Sequence, residues 1–445
     1  RCLSDWSSDV CSSDLRASPR GGTAQAAHRG RGMTQHAVVP FSRIYLPFAA
    51  GYLMSYLYRV VTAVISPELS RDLDLPPSAL GLLTSAYFIA FAATQIPAGI
   101  LLDRYGPRRV EPVLLTVAAV GAFGFAASGG LAGLTVARAL VGAGVAVCLM
   151  APLKGVAVWF PPQRQAPLAG WLMVAGGAGA LVATTPVELA LRHVDWRMLF
   201  AGFGVATAAV ACAIAWRVPD LPRVGTPPSI ADQLRGVRRV FGQPRFWWIM
   251  PVGAVGMGSF MAIQGLWSVT WMMEVEGRTR ADAAGLLLAM SITSLAGYLG
   301  LGTLATHLAR RGFVARHFYL VGWTLNFVGL AAIVARVPGG FLWWCFYGFG
   351  AAANVLAFTL VNEGFPSSLA GRASTAINLA MFSGSFVVQW GVGVIVDAVR
   401  LATGGGVADG LRVAYAVVLS LVAAAYLWFL AGWRRHAGAT RPAED

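Results

Sequence analysis

After residue 40 the chain alternates between long apolar runs and short polar breaks. The runs cover 43–65, 80–101, 110–128, 132–159, 166–190 and 197–217, then 245–273, 283–307, 317–336, 340–362, 373–397 and 411–433. Each holds about 20 residues or more, enough to cross about 30 Å of hydrocarbon at about 1.5 Å per residue. A polar stretch, 218–244, separates the sixth run from the seventh. It carries Pro, Gly and several arginines and reads as a loop with a surface helix. The pattern predicts an all-α membrane protein of twelve transmembrane helices in two six-helix bundles. The expected boundaries are a disordered segment 1–39, a bundle 40–218, a linker 219–244, a bundle 245–433 and a tail 434–445.

Composition agrees. Hydrophobic residues make up 57% of the 445 and charged residues only 12%, against about 25% charged in ordinary soluble domains. Such a surplus of apolar surface has to face lipid. Residues 1–32 contain no apolar core of a signal peptide. The run Asp9–Leu15 resembles a translated sequencing adapter, and Met33 is the expected native start. The five cysteines show neither a pairing framework nor metal spacing. The six histidines form no metal pair, so neither metal nor cofactor nor an enzyme's acid–base cluster is expected.

The formal net charge of +14 would raise the question of nucleic acid in a soluble protein. Here the arginines sit in short loops between apolar runs, which assigns them to topology and makes lipid, not nucleic acid, the partner. Arg104, Arg108, Arg109, Arg164, Arg217, Arg238, Arg239, Arg310 and Arg311 fall on the side of both termini. The other side holds fewer arginines, accompanied by Glu68, Asp72, Asp74, Glu274, Glu276 and Asp282. Both ends are therefore expected in the cytoplasm, with the protein in a bacterial inner membrane as a monomer. A weak repeat supports two related halves: Phe160-Pro and Phe365-Pro each follow the fourth run of a half, and each leads to Leu-Ala-Gly.

The break between the second and third runs reads Gly99-Ile-Leu-Leu-Asp103-Arg104-Tyr-Gly106-Pro-Arg108-Arg109. Gly99 permits close helix contact, Gly106 a tight turn, and Asp103 can meet the positive end of a neighbouring helix, that of the eleventh run near Ala373. This loop resembles the signature of the major facilitator superfamily, and Arg138-Ala-Leu-Val-Gly142-Ala-Gly144 resembles that family's second motif. The resemblance implies a transporter working by alternating access, with Gly99, Asp103, Arg104, Gly106, Arg108, Arg109 and Arg138 as gating residues. The counterpart loop of the second half, Gly302–Gly312, is degenerate and lacks the acid.

The first run carries Tyr52, Tyr56 and Arg59 at spacings that share one helical face. An arginine inside a span is costly unless it faces a cavity and meets an anion, or snorkels to the surface. The run resembles helix 1 of the organophosphate:phosphate antiporters, where the matching arginine binds substrate phosphate. Lys154, alone of its kind in the chain, falls late in the fourth run, where that family also has a basic residue. It is open to substrate binding, to pairing with an acid or to snorkelling. The departures are a missing second arginine on the seventh helix, where Gln264 and Trp267 stand, and Gln95 in place of a lysine. One arginine and one lysine suit a carboxylate as well as a phosphate ester. A stripe of Asn378, Phe382, Ser385 and Gln389 on the eleventh run serves either substrate or helix packing.

The expected substrate site is thus Arg59, Tyr52, Tyr56, Lys154, Gln95, Gln264, Trp267, Asn378 and Gln389. The expected function is secondary transport of a small organic anion, a carboxylate or phosphorylated metabolite. The co-transported species is left open between a proton and a counter-anion. No carboxylate stands out inside the runs, so Asp103 and Glu188 are the candidates to carry a proton. The rivals are a proton-driven exporter of drugs or metabolites, disfavoured by the missing Gly-Pro pattern in the fifth run, and a solute sensor of the same fold.

Overall fold

The structure, a computed structural model, describes residues 41–220, 235, 238–309, 315–363, 365 and 367–437; the side chains of 41, 42, 162, 163, 166, 301–309, 367, 368, 370 and 434–437 are excepted. The segment 1–39 with Met33, most of the linker, the end of the tail and the second-half loop at 310–312 lie outside the described residues. Of the linker's expected surface helix, 238–241 is helical.

Among the described residues twelve helical spans follow one another. They are α1 (Phe41–Leu73), α2 (Pro77–Tyr105), α3 (Pro107–Ala127), α4 (Leu131–Gly144 and Met150–Trp159), α5 (Pro162–Val182 and Thr185–Leu191) and α6 (Trp196–Arg217). Then come α7 (Pro244–Ala262, Ile263–Trp267 and Ser268–Glu274), α8 (Arg280–Ala309), α9 (Ala315–Val334), α10 (Gly340–Ala351, Ala352–Val355 and Leu356–Asn362), α11 (Ser367–Thr403) and α12 (Val407–Ala437). All but α4 contain an unbroken or nearly unbroken stretch long and apolar enough to cross a membrane. Prolines set several starts: Pro77, Pro107 and Pro244 sit in the first turn, where a missing N–H costs nothing. Gly106, at φ +78°, turns the chain between α2 and α3 and donates its N–H back to Leu102.

The interruptions are as telling as the helices. In α4 the regular ladder gives way at 145–149, and Cys148 N–H bonds only three residues back, to Val145. Pro152 explains the break, because it has no N–H for the Cys148 carbonyl and its ring crowds that group. Pro186 does the same for α5 at 183–184. In α10 the corresponding segment Ala352–Val355 tightens to a 3₁₀ turn, and in α7 Ile263–Trp267 widens to a π turn. So the fourth helix of each half breaks at a matching depth, a second sign of the internal repeat. Irregular backbone inside a membrane survives only where protein buries it or a cavity meets it. Side chains complete it here: Gln95 donates to Ala146 O (3.1 Å), Asn326 to Tyr347 O (3.0 Å) and Ser294 to Gly348 O (2.9 Å).

Helices α1–α6 pack among themselves, as do α7–α12. Across the seam α2 lies along α11, α1 along the second part of α7, and α5 along α8. The end of the molecule that carries the Gly99–Arg109 loop is called the loop end below, and the opposite one the far end.

Candidate substrate site

Arg59 lies midway along α1 and is only 4% exposed. Aromatic rings surround its guanidinium: Tyr56 at 4.5 Å, Phe91 of α2 at 5.3 Å and Phe382 of α11 at 5.3 Å. Rings from both halves therefore enclose one cation, and Phe91 stacks on Phe382 at 4.2 Å. Its Nε has no hydrogen-bond partner. Among the described residues no ion pair involves Arg59. Ring faces attract a cation by about 0.5–2 kcal/mol. That does not replace a desolvated anion, whose loss leaves a buried charge uncompensated at several kcal/mol.

Tyr52 and Tyr56 stand edge to face at 5.1 Å. They fit because α5 presents Gly176 to them: a Cβ there would stand 2.6 Å from Tyr52 and 2.9 Å from Tyr56. Tyr298 of α8 faces the same pair electrostatically. On the other side α7 passes close, since a Cβ on Gly265 of the π turn would stand 3.1 Å from the Arg59 carbonyl oxygen. Such π turns recur at functional sites.

Of the other expected substrate residues, some lie at this seam and some do not. Trp267 donates its indole N–H to the Gln389 carbonyl (3.0 Å), and the Gln389 amide is buried with neither of its polar atoms bonded. Gln264 donates to Ser291 of α8 (3.3 Å). Asn378 is half-buried on α11. Gln95 is taken up by the broken turn of α4. Lys154 points to the loop end, where it bonds Asp103 (2.7 Å) and the Leu102 carbonyl (2.8 Å). Leu102 lies eleven residues beyond Phe91 on α2, about 16 Å along the helix. Lys154 and Arg59 are thus not brought together in this conformation.

The gating residues also divide. Asp103 pairs with Lys154 of its own half and not with α11 near Ala373. Arg108 and Arg109 hold Asp220 at the end of α6 (3.1 and 3.5 Å), and Arg108 also donates to Ala215 O. Arg104 rests on Tyr105. Gly99 has nothing within 4 Å that a Cβ would meet, so its expected helix contact is not made here. Arg138 is separate from this loop. It is fully buried under Tyr87, donates to the Tyr58 carbonyl (3.0 Å), and leaves Nε and Nη2 unbonded.

Between the halves, the hydrogen bonds and ion pairs found among the described residues sit at the far end. Arg280 of α8 pairs with Glu68 of α1 and donates to Val64 O, and the Ser78 N–H of α2 donates to Asp397 of α11 (2.8 Å). A vestibule of about 600 Å³, lined by Pro67, Arg71, Trp267, Glu274 and Arg400 among others, lies outside this closure.

Three contributors were not legible in the sequence. Phe91 and Tyr298 arrive from distant helices as ordinary apolar-run residues, whereas Phe382 already stood on the stripe of the eleventh run. Glu111 of α3 is fully buried; it is the second residue of the run 110–128, where the adjacent Arg108 and Arg109 mask it as an interior acid.

Twelve membrane helices in two packed halves, with a buried cation at their seam, define a membrane transporter. The chain belongs to the Major Facilitator Superfamily, whose family model matches residues 48–389. It is similar to the hexuronate transporter of Escherichia coli (strain K12), with 30% identity over 168 residues, 38% of this chain and 38% of that protein. The chain therefore matches well under half the length of that relative. It is also similar to a probable sulfoacetate transporter of Cupriavidus necator, with 24% identity over 297 residues, 63% of this chain and 67% of that one. In fold it is similar to a bacterial homologue of the human lysosomal transporter Spinster, solved inward-facing and unoccupied. The TM-score is 0.74 at 14% identity, covering 93% of this chain and all of that one.

Proposed function

We propose that this transporter moves a small carboxylate-bearing organic anion across a bacterial inner membrane by alternating access. The observation that carries the reading is the Arg59 guanidinium, buried at the seam of the halves, ringed by aromatics and without an ion-pair partner among the described residues. An anion entering there gains the bidentate fork of guanidinium. The tyrosines offer hydroxyls beside it, and Tyr298 and Phe382 let both halves sense its arrival. The hexuronate and sulfoacetate transporters among the relatives support an anionic substrate. A phosphorylated metabolite fits one guanidinium less well, because Lys154 is engaged with Asp103.

The arginine-rich loop end is assigned to the cytoplasm, together with both termini. With the far end closed, the conformation is then inward-facing. A reporter fused after His436 and active only in the periplasm would overturn this orientation.

The functional test is competitive uptake into proteoliposomes by sugar acids, other carboxylates, phosphate esters and neutral sugars. Carboxylates are expected to compete best. In nanodiscs, Arg59→Ala is expected to weaken binding of the best competitor by about 2–5 kcal/mol, and Arg59→Lys to restore it in part. Unchanged affinity in folded Arg59→Ala, or competition by neutral sugars alone, would return the choice to an uncharged substrate.

A further inference from the structure

We propose that Glu111 is the proton-binding group that couples a proton to the transport cycle. The proposal rests on the transporter reading and not on the identity of the anion. Glu111 stands at the fifth position of α3 and is 0% exposed. Both carboxyl oxygens are buried without a hydrogen-bond partner. The candidate acids Asp103 and Glu188 are engaged: Asp103 pairs with Lys154, and Glu188 forms a two-pronged pair with Arg192. Glu68 is held by Arg280 and Glu363 by Arg245. Glu111 has no such cation among the described residues.

An ionised carboxylate alone among apolar groups costs several kcal/mol or more. The arrangement shown therefore suits the neutral acid. Its surroundings decide when that changes. From α1 the backbone of Gly51 presses on it, so closely that a Cβ there would stand 2.7 Å from Oε1. From α4 the broken turn offers the Cys148 thiol, the titratable group that faces it. From α6 Val210 reaches the same crevice, and Leu115 of α3 closes it. Beyond these, Arg59 acts on Cys148 electrostatically, Arg108 is committed to Asp220, and Lys154 to Asp103.

Glu111 is thus clamped between the helix that carries Tyr52, Tyr56 and Arg59 and the irregular turn of α4. A shift of α1, or a straightening of 145–149, opens this crevice to water and allows the proton to leave. Proton affinity then differs between the two conformations, and linkage makes the proton bias the conformational equilibrium in return. The balance is simple: water on one side supplies one H⁺ to a carboxylate oxygen, water on the other side takes it back, and no other bond changes. One proton carried with a monoanion makes the step electroneutral.

The test needs no substrate. Spin labels at Leu101→Cys of α2 and Gly371→Cys of α11 span the loop end, with every other cysteine except buried Cys148 replaced by serine. Distances are measured in nanodiscs at about pH 5 and about pH 9, either side of a carboxyl group perturbed by burial. The protein with Glu111 is expected to shift its distance distribution between the two. Glu111→Gln, a permanent mimic of the neutral acid, is expected to show the low-pH distribution at both. A distribution that ignores pH with Glu111 present, or one that still follows pH in Glu111→Gln, overturns the proposal. Should the glutamine variant not fold, Glu111→Asp decides: the midpoint of the shift moves if this carboxylate titrates and stays if another group does. Loss of anion competition in proteoliposomes with the pH shift intact would count against the anion reading alone.

Discussion

Helices α2 and α11 run along each other, yet their two ends behave differently. At the far end the first turn of α2 is latched: the Asp397 carboxylate accepts the Ser78 N–H, and Gly81 lets the backbone of α2 settle against Gln389 and Trp390. The Arg280–Glu68 pair reinforces this closure from α8 to α1. At the loop end α2 also finishes near an acid, Asp103, and α11 also begins, with a first turn whose N–H groups have no acceptor within the helix. There Asp103 stays with Lys154, Gly99 faces open space, and Ser374 of α11 bonds Asn362 of α10. The halves thus carry a similar pairing device at both ends of one helix pair, an acid at the close of one helix and an N-terminus of the other. Only one of the two is engaged. On the alternating-access reading proposed above, the cycle would exchange one latch for the other, with the stacked rings of Phe91 and Phe382 lying between them.

The strongest way to break the asymmetry is a wedge. A Cβ on Gly81 would stand 2.9 Å from the Gln389 carbonyl oxygen and 3.2 Å from Trp390 Cα, both backbone atoms that cannot swing aside. Gly81→Val is expected to abolish uptake and expose the far end to cysteine reagents; overpacking of this kind costs about 1–3 kcal/mol or more. Normal uptake would show that the far-end seam need not close this tightly.

Next in size is the inter-half ion pair. Arg280→Ala leaves the mostly buried Glu68 without its cation, and is expected to shift the equilibrium away from far-end closure by about 1–3 kcal/mol. Distance measurements across the far end check this, and no population change would assign the pair a passive role. Asp397→Ala removes a cap and is expected to cost about 0.5–2 kcal/mol in the same direction. The smallest effect in this conformation belongs to Asp103→Asn. The Lys154 pair is partly exposed, at 32% and 42%, and solvent screening keeps its loss below about 1 kcal/mol. Transport is nevertheless expected to fall while membrane insertion stays normal, because the open latch has yet to use that carboxylate. Full transport by Asp103→Asn would leave the far end as the sole regulated gate.

The twelve spans were legible because run length against bilayer thickness is a strong signal, and Arg59 because a cation in an apolar run is rare. The breaks in α4 and α10 were not, since Val145–Leu149 is as apolar as its flanks and Ala352–Val355 differs by the one polar residue Asn354. Pro152 and Pro186 were visible, but a proline tells where a ladder is weakened and not whether neighbours accept the break. Gln95 stood among the substrate candidates through the resemblance, at the place of a lysine, and its partner, the Ala146 carbonyl, comes within reach only in three dimensions. Glu111 was hidden by its neighbours in sequence. Second in the run 110–128 and two residues after Arg109, it reads as the edge of a span, and the packing of α1, α4 and α6 makes it interior. The aromatic cage needed four helices to assemble, and no spacing on one helix can announce that.

One consequence of the loop-end arrangement is chemical. A protein of 445 residues with a single ε-amine offers side-chain acylation only one address, and that address is Lys154, salt-bridged to Asp103 at the unlatched end. Amine-reactive esters will modify it at a rate set by how often the pair separates. A water-soluble carbodiimide will instead fuse the two side chains into an amide of zero added length. The molecule therefore carries a native reporter and a native staple at one position, so turnover can be clocked or halted without engineering a residue.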